Sequence, residues 1–173
     1  MSDQPLTTIA VKDAALRQAA GQGMDAFLQV FTDAYQAAMG GEPTAETMGR
    51  LTVEQHTLMA YTILRNEVCA GGFCQLIQNG YGPYIFHNPL AKLMRLWGLK
   101  ELSKLLYDAR TIYDARREEL ERERTDEEFM AMYEEFEELD ELDETFIENE
   151  EEFTEAIARY VDEHIQEFAC IVE

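Results

Sequence analysis

Between residues 126 and 153 the chain reads DEEFMAMYEEFEELDELDETFIENEEEF, and nearly every side chain there is a carboxylate or a large apolar group. Such a segment has few ways to fold. Phe129, Met132, Tyr133, Phe136 and Leu139 recur at steps of three and four, the apolar stripe of a helix. The carboxylates must then share the remaining faces in water, where they repel one another. Thr125 with Glu128 forms a capping box that opens this helix, and the spacing predicts a helix over 126–144 with a break near Asp140. Asn149 with Glu152 reads as another box. It predicts the start of a last helix with Phe153, Ala156, Ile157, Tyr160, Val161, Ile165 and Phe168 inside.

The charge is divided unevenly. Residues 1–125 hold 15 acidic and 13 basic side chains, whereas 126–173 hold 20 acidic ones and a single cation, Arg159. Acidic tails that stay disordered lack aromatics. This chain has nine Phe, eight Tyr and one Trp, several of them inside the acidic stretch, so an ordered acidic surface is expected. A net charge of −21 repels bare nucleic acid and anionic membrane, which leaves basic proteins as the natural partners.

The rest of the chain is patterned for helices. Met24, Phe27, Leu28, Phe31 and Tyr35 mark one, stopped by Gly40-Gly41. Thr52 with Gln55 caps the next, which Ala70-Gly71-Gly72 breaks. Asn79-Gly80-Tyr81-Gly82-Pro83 predicts a loop, and Asn88-Pro89 a helix start with Asn as the cap. Leu99 to Ala115 is a further helix, and Arg116 to Arg124 an exposed helical extension. No alternating strand segment is evident. The expected fold is all-α, a compact multi-helix domain of roughly eight helices. Residues 1–49 are expected to form an N-terminal helical segment and 50–173 a helical domain with the acidic C-terminal face, together one compact unit. The N-terminus lacks the basic and apolar regions of a signal peptide, and no apolar run is long enough to span a bilayer. Three cysteines at no framework spacing suit a reduced, cytoplasmic setting.

Catalytic and metal-binding patterns are weak. Asp140-Glu141-Leu142-Asp143-Glu144 lacks the alternate ligands and central Gly of an EF-hand. No Glu-x-x-His pair for a di-iron bundle is present, and Cys69, Cys74, His56 and His87 lack a zinc motif. No metal or cofactor is expected. An alternative to a binding protein is a hydrolase-like enzyme using a Gly71-Gly72-Phe73 loop with Cys74 as nucleophile and His87 as base. A third reading is an acidic chaperone for histone-like basic proteins.

The acidic segment itself is the strongest signal. As a helix, 126–144 would be about 28 Å long and carries eleven carboxylates. Duplex DNA of that length carries roughly 16 phosphate charges on its two strands. A row of this density resembles what a DNA-binding surface meets. Like charges one turn apart destabilise a helix by a few tenths of a kcal/mol per pair, a penalty that a cationic partner relieves.

The segment Asn66-Glu67-Val68-Cys69-Ala70-Gly71-Gly72-Phe73-Cys74-Gln75 contains a Gly-Gly-Phe-x-Gln turn, followed by Asn79-Gly80-Tyr81-Gly82. Leu142-Asp143-Glu144-Thr145-Phe146 follows as a Leu-Asp-x-x-Phe run, then Tyr160-Val161 and Glu167-Phe168. In these elements, over roughly residues 50–170, the chain resembles the bacterial family of the small DNA mimic protein. The resemblance implies an α-helical homodimer, not an enzyme. Its acidic surface would occupy the DNA-binding face of a helix-turn-helix transcription factor and regulate transcription by keeping it off its operator. The candidate contacts are Asp126, Glu127, Glu134, Glu135, Glu137, Glu138, Asp140, Glu141, Asp143, Glu144, Glu148, Glu150 and Glu151. The apolar stripe between them is expected to be scaffold.

Overall fold

The computed structural model of the chain describes residues 9–41, 47 and 49–173, and these are overwhelmingly helical, as the sequence pattern requires. The expectations for the N-terminal stretch and for the segment 1–49 fall partly on residues 1–8, 42–46 and 48, which lie outside the described residues. The chain divides into two units: one takes the residues up to Met59 with Thr154–Glu173, and the other is Ala60–Phe153. No helix among the described residues is long and apolar enough to cross a membrane.

The first unit contains β1 (Ala10–Lys12), α1 (Asp13–Ala20), α2 (Met24–Met39) and the first turns of α3 (Val53–Gln78). It also takes the end of α9 (Glu137–Glu163), then α10 (Ile165–Phe168) and β2 (Cys170–Val172). Helix α2 buries Phe27, Leu28, Phe31 and Tyr35 on one face. It stops at Gly40, whose φ of 80° lets the Gly41 and Gly40 amides turn back onto the carbonyls of Gln36 and Ala37. The Thr52–Gln55 box is complete: Gln55 N donates to Thr52 Oγ1 at 3.2 Å, and Thr52 N to Gln55 Oε1 at 3.0 Å. The carbonyl of Phe168 accepts from Tyr35 Oη at 2.7 Å and from Gln55 Nε2 at 3.1 Å. Two buried donors thus satisfy one helix-end carbonyl. The small sheet was not expected. β1 and β2 pair in parallel, Val11 opposite Ile171, over three residues each, too short for an alternating pattern to register.

The second unit contains the rest of α3, then α4 (Gly82–Phe86), α5 (Leu90–Leu96), α6 (Lys100–Ala115), α7 (Arg117–Glu121), α8 (Asp126–Glu135) and α9 to Phe153. Its core includes Phe73, Phe86 and Tyr113, with ring centroids 6.0 Å apart between the first two and 4.9 Å between the last two. Asn88 does not cap α5. Its Nδ2 donates back to the Tyr84 carbonyl at 2.8 Å, and Pro89 stands at the cap position. The extension after α6 is helical only over α7.

The break foreseen at Ala70-Gly71-Gly72 is a kink inside α3 rather than a loop. Gly72 takes φ 75° and ψ −175°, and the helix resumes at Phe73. A Cβ at Gly72 would overlap the carboxylate of Asp143, whereas one at Gly40 would meet nothing within 4 Å. Both glycines have a left-handed φ, so Ala at either is strained by about 1–2 kcal/mol. Gly40→Ala should lose about that much stability in urea unfolding, and Gly72→Ala about 2–4 kcal/mol, because the carboxylate must also move.

Candidate functional site

The first acidic helix begins where the sequence predicts. Thr125 Oγ1 accepts from Glu128 N at 3.2 Å, and Asp126, Glu127 and Glu128 fill the first turn of α8, where the helix dipole favours negative charge. The break comes earlier than expected, at Phe136 instead of near Asp140. Cations from another segment place it there. Arg116 stacks over the Phe136 ring with its guanidinium carbon 4.1 Å from the centroid, and Arg124 lies at 5.8 Å. Arg116 Nη1 donates to the Glu135 carbonyl, at the C-terminal end of α8, at 3.3 Å and to Glu138 at 3.2 Å. Its Nη2 donates to Glu119 at 2.7 Å. Arg124, with only 2% of its side chain exposed, lies 3.5 Å from Glu135. The α8–α9 elbow is therefore an aromatic ring clamped by two arginines.

The second expected break is absent. Helix α9 runs unbroken from Glu137 to Glu163, straight through Asn149. Asn149 Nδ2 donates to the Thr145 carbonyl at 2.8 Å and caps nothing. The core stripe simply continues in register: Leu139, Phe146 and Phe153 are buried, with the rings of Phe146 and Phe153 5.8 Å apart.

Helical geometry then sorts the carboxylates. Glu137, Glu141, Glu144, Glu148 and Glu151 recur at steps of four and three on the side of α9 opposite that stripe, and all are exposed. They form one row about 21 Å long, roughly one charge per 5 Å, against one phosphate per 3.4 Å along a DNA strand. On α8, Asp126, Glu127 and Glu134 are exposed too. None of these eight has an ion-pair partner among the described residues. Three other candidates are partly neutralised within the protein. Glu135 and Glu138 hold the elbow arginines, and Glu150 lies 3.7 Å from Arg65. Asp140 is half-buried. The single-helix density reckoned over 126–144 is accordingly too high for any one face.

Asp143 is not part of the outward set. It is 9% exposed and lies on the core stripe, where its Oδ1 accepts from Phe73 N at 2.8 Å. The kink at Gly72 leaves the amides that begin residues 73–78 without helical partners, and Asp143 supplies one from another helix, as an N-cap residue does. Tyr133 Oη donates to the Gly71 carbonyl at 2.8 Å on the other side of the kink. Gln75 Nε2 donates to Glu67 at 3.0 Å. Burial pushes the Asp143 carboxyl up to about 6, with Asp140 and Glu144 adding to the rise and the Phe73 amide opposing it.

The same geometry disfavours the hydrolase-like alternative. Cys74 is 1% exposed, and burial, with Asp143 and Asp140, pushes its thiol up to about 12. Such a thiol is not ionised at neutral pH and does not act as a nucleophile. His87 lies 2.9 Å from Asp114, and this bond, with Arg110, holds the Asp114 carboxyl below its ordinary value. The charged groups that face Cys74 are Asp143, Asp140 and Arg124, not His87. Sequence spacing missed the elbow arginines and the capping role of Asp143, because both depend on partners far away in the chain.

The sequence model of the DMP19-like protein family matches residues 49–164. The DNA mimic protein DMP19 of Neisseria meningitidis serogroup B (strain ATCC BAA-335 / MC58) is 46% identical over 69 residues. That match spans 40% of this chain and 42% of the relative.

The raised Asp143 pKa means that the folded protein keeps a proton the unfolded chain has lost. The stability this contributes is full below about pH 4 and lost as pH rises through about 6. Asp143→Asn keeps an oxygen for the Phe73 amide without burying a charge. Its stability relative to wild type should therefore rise by about 1–3 kcal/mol between pH 4 and pH 7.5. Asp143→Ala should stay below Asp143→Asn by about 1–3 kcal/mol at both, having orphaned the amide. Urea titrations followed by circular dichroism at the two pH values check this; a constant difference between Asn variant and wild type would refute it.

Proposed function

The chain belongs to the DMP19-like protein family, and on that premise we propose that it is a DNA mimic whose acidic helices occupy the DNA-binding face of a helix-turn-helix transcription factor. The observation that carries this reading is the row of Glu137, Glu141, Glu144, Glu148 and Glu151 on the solvent side of α9. A helix-turn-helix protein presents Arg and Lys to phosphates on either side of its recognition helix. Carboxylates at one-turn spacing accept charge-assisted hydrogen bonds from the same side chains and accelerate encounter. The factor is then unavailable to its operator.

A rigid support strengthens such mimicry, because charges already held in place lose little freedom on binding. The elbow arginines and the Asp143 cap supply that support. Factors of this class commonly bind as dimers, with half-sites about 34–36 Å apart. A homodimer of this chain would offer two acidic rows to such a target, each shorter than that spacing. No bond-making chemistry enters this function. The mimic binds protein, not nucleic acid or membrane.

Displacement of operator DNA from purified helix-turn-helix regulators, read by gel shift, tests the proposal, with unrelated histone-like proteins as the comparison. Wild type should displace DNA from one regulator well before it affects the histone-like proteins. Equal action on all of them would favour a general acidic chaperone. Exposed ion pairs contribute about 0.2–1 kcal/mol each, so reversing Glu137, Glu141, Glu144 and Glu148 to Lys should weaken displacement by about two orders of magnitude. Helicity should be unchanged. Replacing Glu135 and Glu138 by Gln should affect displacement much less, since their charges already face Arg124 and Arg116. Affinity should fall as salt rises.

A further inference from the structure

Carboxylates alone attract any basic protein, so the acidic row does not explain how one target is chosen. We infer that Met130 and Ile147 are apolar contact points within the acidic surface, selecting partners whose DNA-reading helix shows an apolar side chain among arginines and lysines. The inference rests on the mimicry reading and adds a source of selectivity to it.

The other large apolar side chains on these helices are buried or half-buried. Helix α8 buries Met132, and α9 buries Leu139, Phe146 and Phe153. Each helix departs from that rule once. Met130 is 64% exposed on α8, and Ile147 is 52% exposed on α9. Both stand among the unpaired carboxylates. Met130 has Asp126 and Glu127 one turn before it and Glu134 one turn after. Ile147 has Glu144 one turn before, Glu151 one turn after and Glu148 adjacent. Neither side chain is needed by the buried stripe of its own helix.

The chemistry of the major groove says what such a pattern can match. A recognition helix meets phosphates at its flanks and base edges at its tip, and among those edges is the thymine methyl group, which apolar side chains read. A purely acidic surface reproduces the phosphates and offers nothing to the apolar side chain, which would be left against charge. An isoleucine or methionine flanked by carboxylates supplies both elements.

Two synthetic helical peptides of equal length and charge test this by fluorescence anisotropy at low ionic strength. One carries a leucine among four arginines, and the other a glutamine in its place. Wild type should bind the leucine peptide about tenfold more tightly, the effect of partly burying one such side chain. The exposed double substitution Met130→Gln, Ile147→Gln leaves the core untouched. It should bind both peptides equally, as wild type binds the glutamine peptide, with an unchanged salt slope. Equal wild-type affinities, the same preference in the double variant, or no binding of either peptide would overturn the inference. The operator-blocking reading is judged separately by gel shift: a peptide preference with no regulator displaced sinks that reading alone, and displacement without any peptide preference sinks only this inference.

Discussion

Asp143 accepts the Phe73 amide at 2.8 Å beside a glycine whose left-handed backbone interrupts α3. The kink needs an outside acceptor for the amide it frees, and the acceptor needs the space that only a residue without Cβ leaves. Each makes the other tolerable. The bond joins residues 70 positions apart and ties the acidic helix to the aromatic core that begins at Phe73. It also carries a penalty, because the carboxylate is buried next to two further acidic side chains. A charge that would be comfortable at the surface is held inside to fix where the surface lies.

The acidic region relies on few countercharges, and their placement matters. Arg116 and Arg124 are drawn to the elbow, where they grip Phe136, the end of α8 and the first turn of α9. Among the described residues, the outward row of α9 receives none. Repulsion along that row is left standing while the joint beneath it is neutralised. A surface arranged this way stays rigid and still gains from meeting a cationic partner.

What could be read from the sequence was local. The stop at Gly40, the Thr52–Gln55 box and the Thr125 cap each depend on residues within one turn, and each stands as expected. The errors fell where distant partners decide. Asp143 looks like any other carboxylate of its run until Phe73 arrives from another helix. Phe136, not Asp140, ends α8 because arginines from 116 and 124 clamp it. The apparent cap at Asn149 is overridden because Phe146 and Phe153 keep the core stripe in step across it. The stripe continues past Leu139 through Phe146 and Phe153, so the outward glutamates of α9 were legible from spacing alone. Met130 and Ile147 were not, since a large apolar side chain among carboxylates is ordinarily assigned to the interior.

The two units differ in how the chain threads them. Ala60–Phe153 is continuous, whereas the other unit is closed by β1 pairing with β2 across about 160 intervening residues. Bringing such distant segments together carries a loop-closure entropy on the order of 4 kcal/mol before any contact repays it. Contacts inside the continuous unit close shorter loops, so that unit can order first, and the other must wait until β1 and β2 meet. The elbow, the kink and most of the acidic helices lie in the part that matures first, so the charged face takes shape ahead of the seam that joins the first strand to the last.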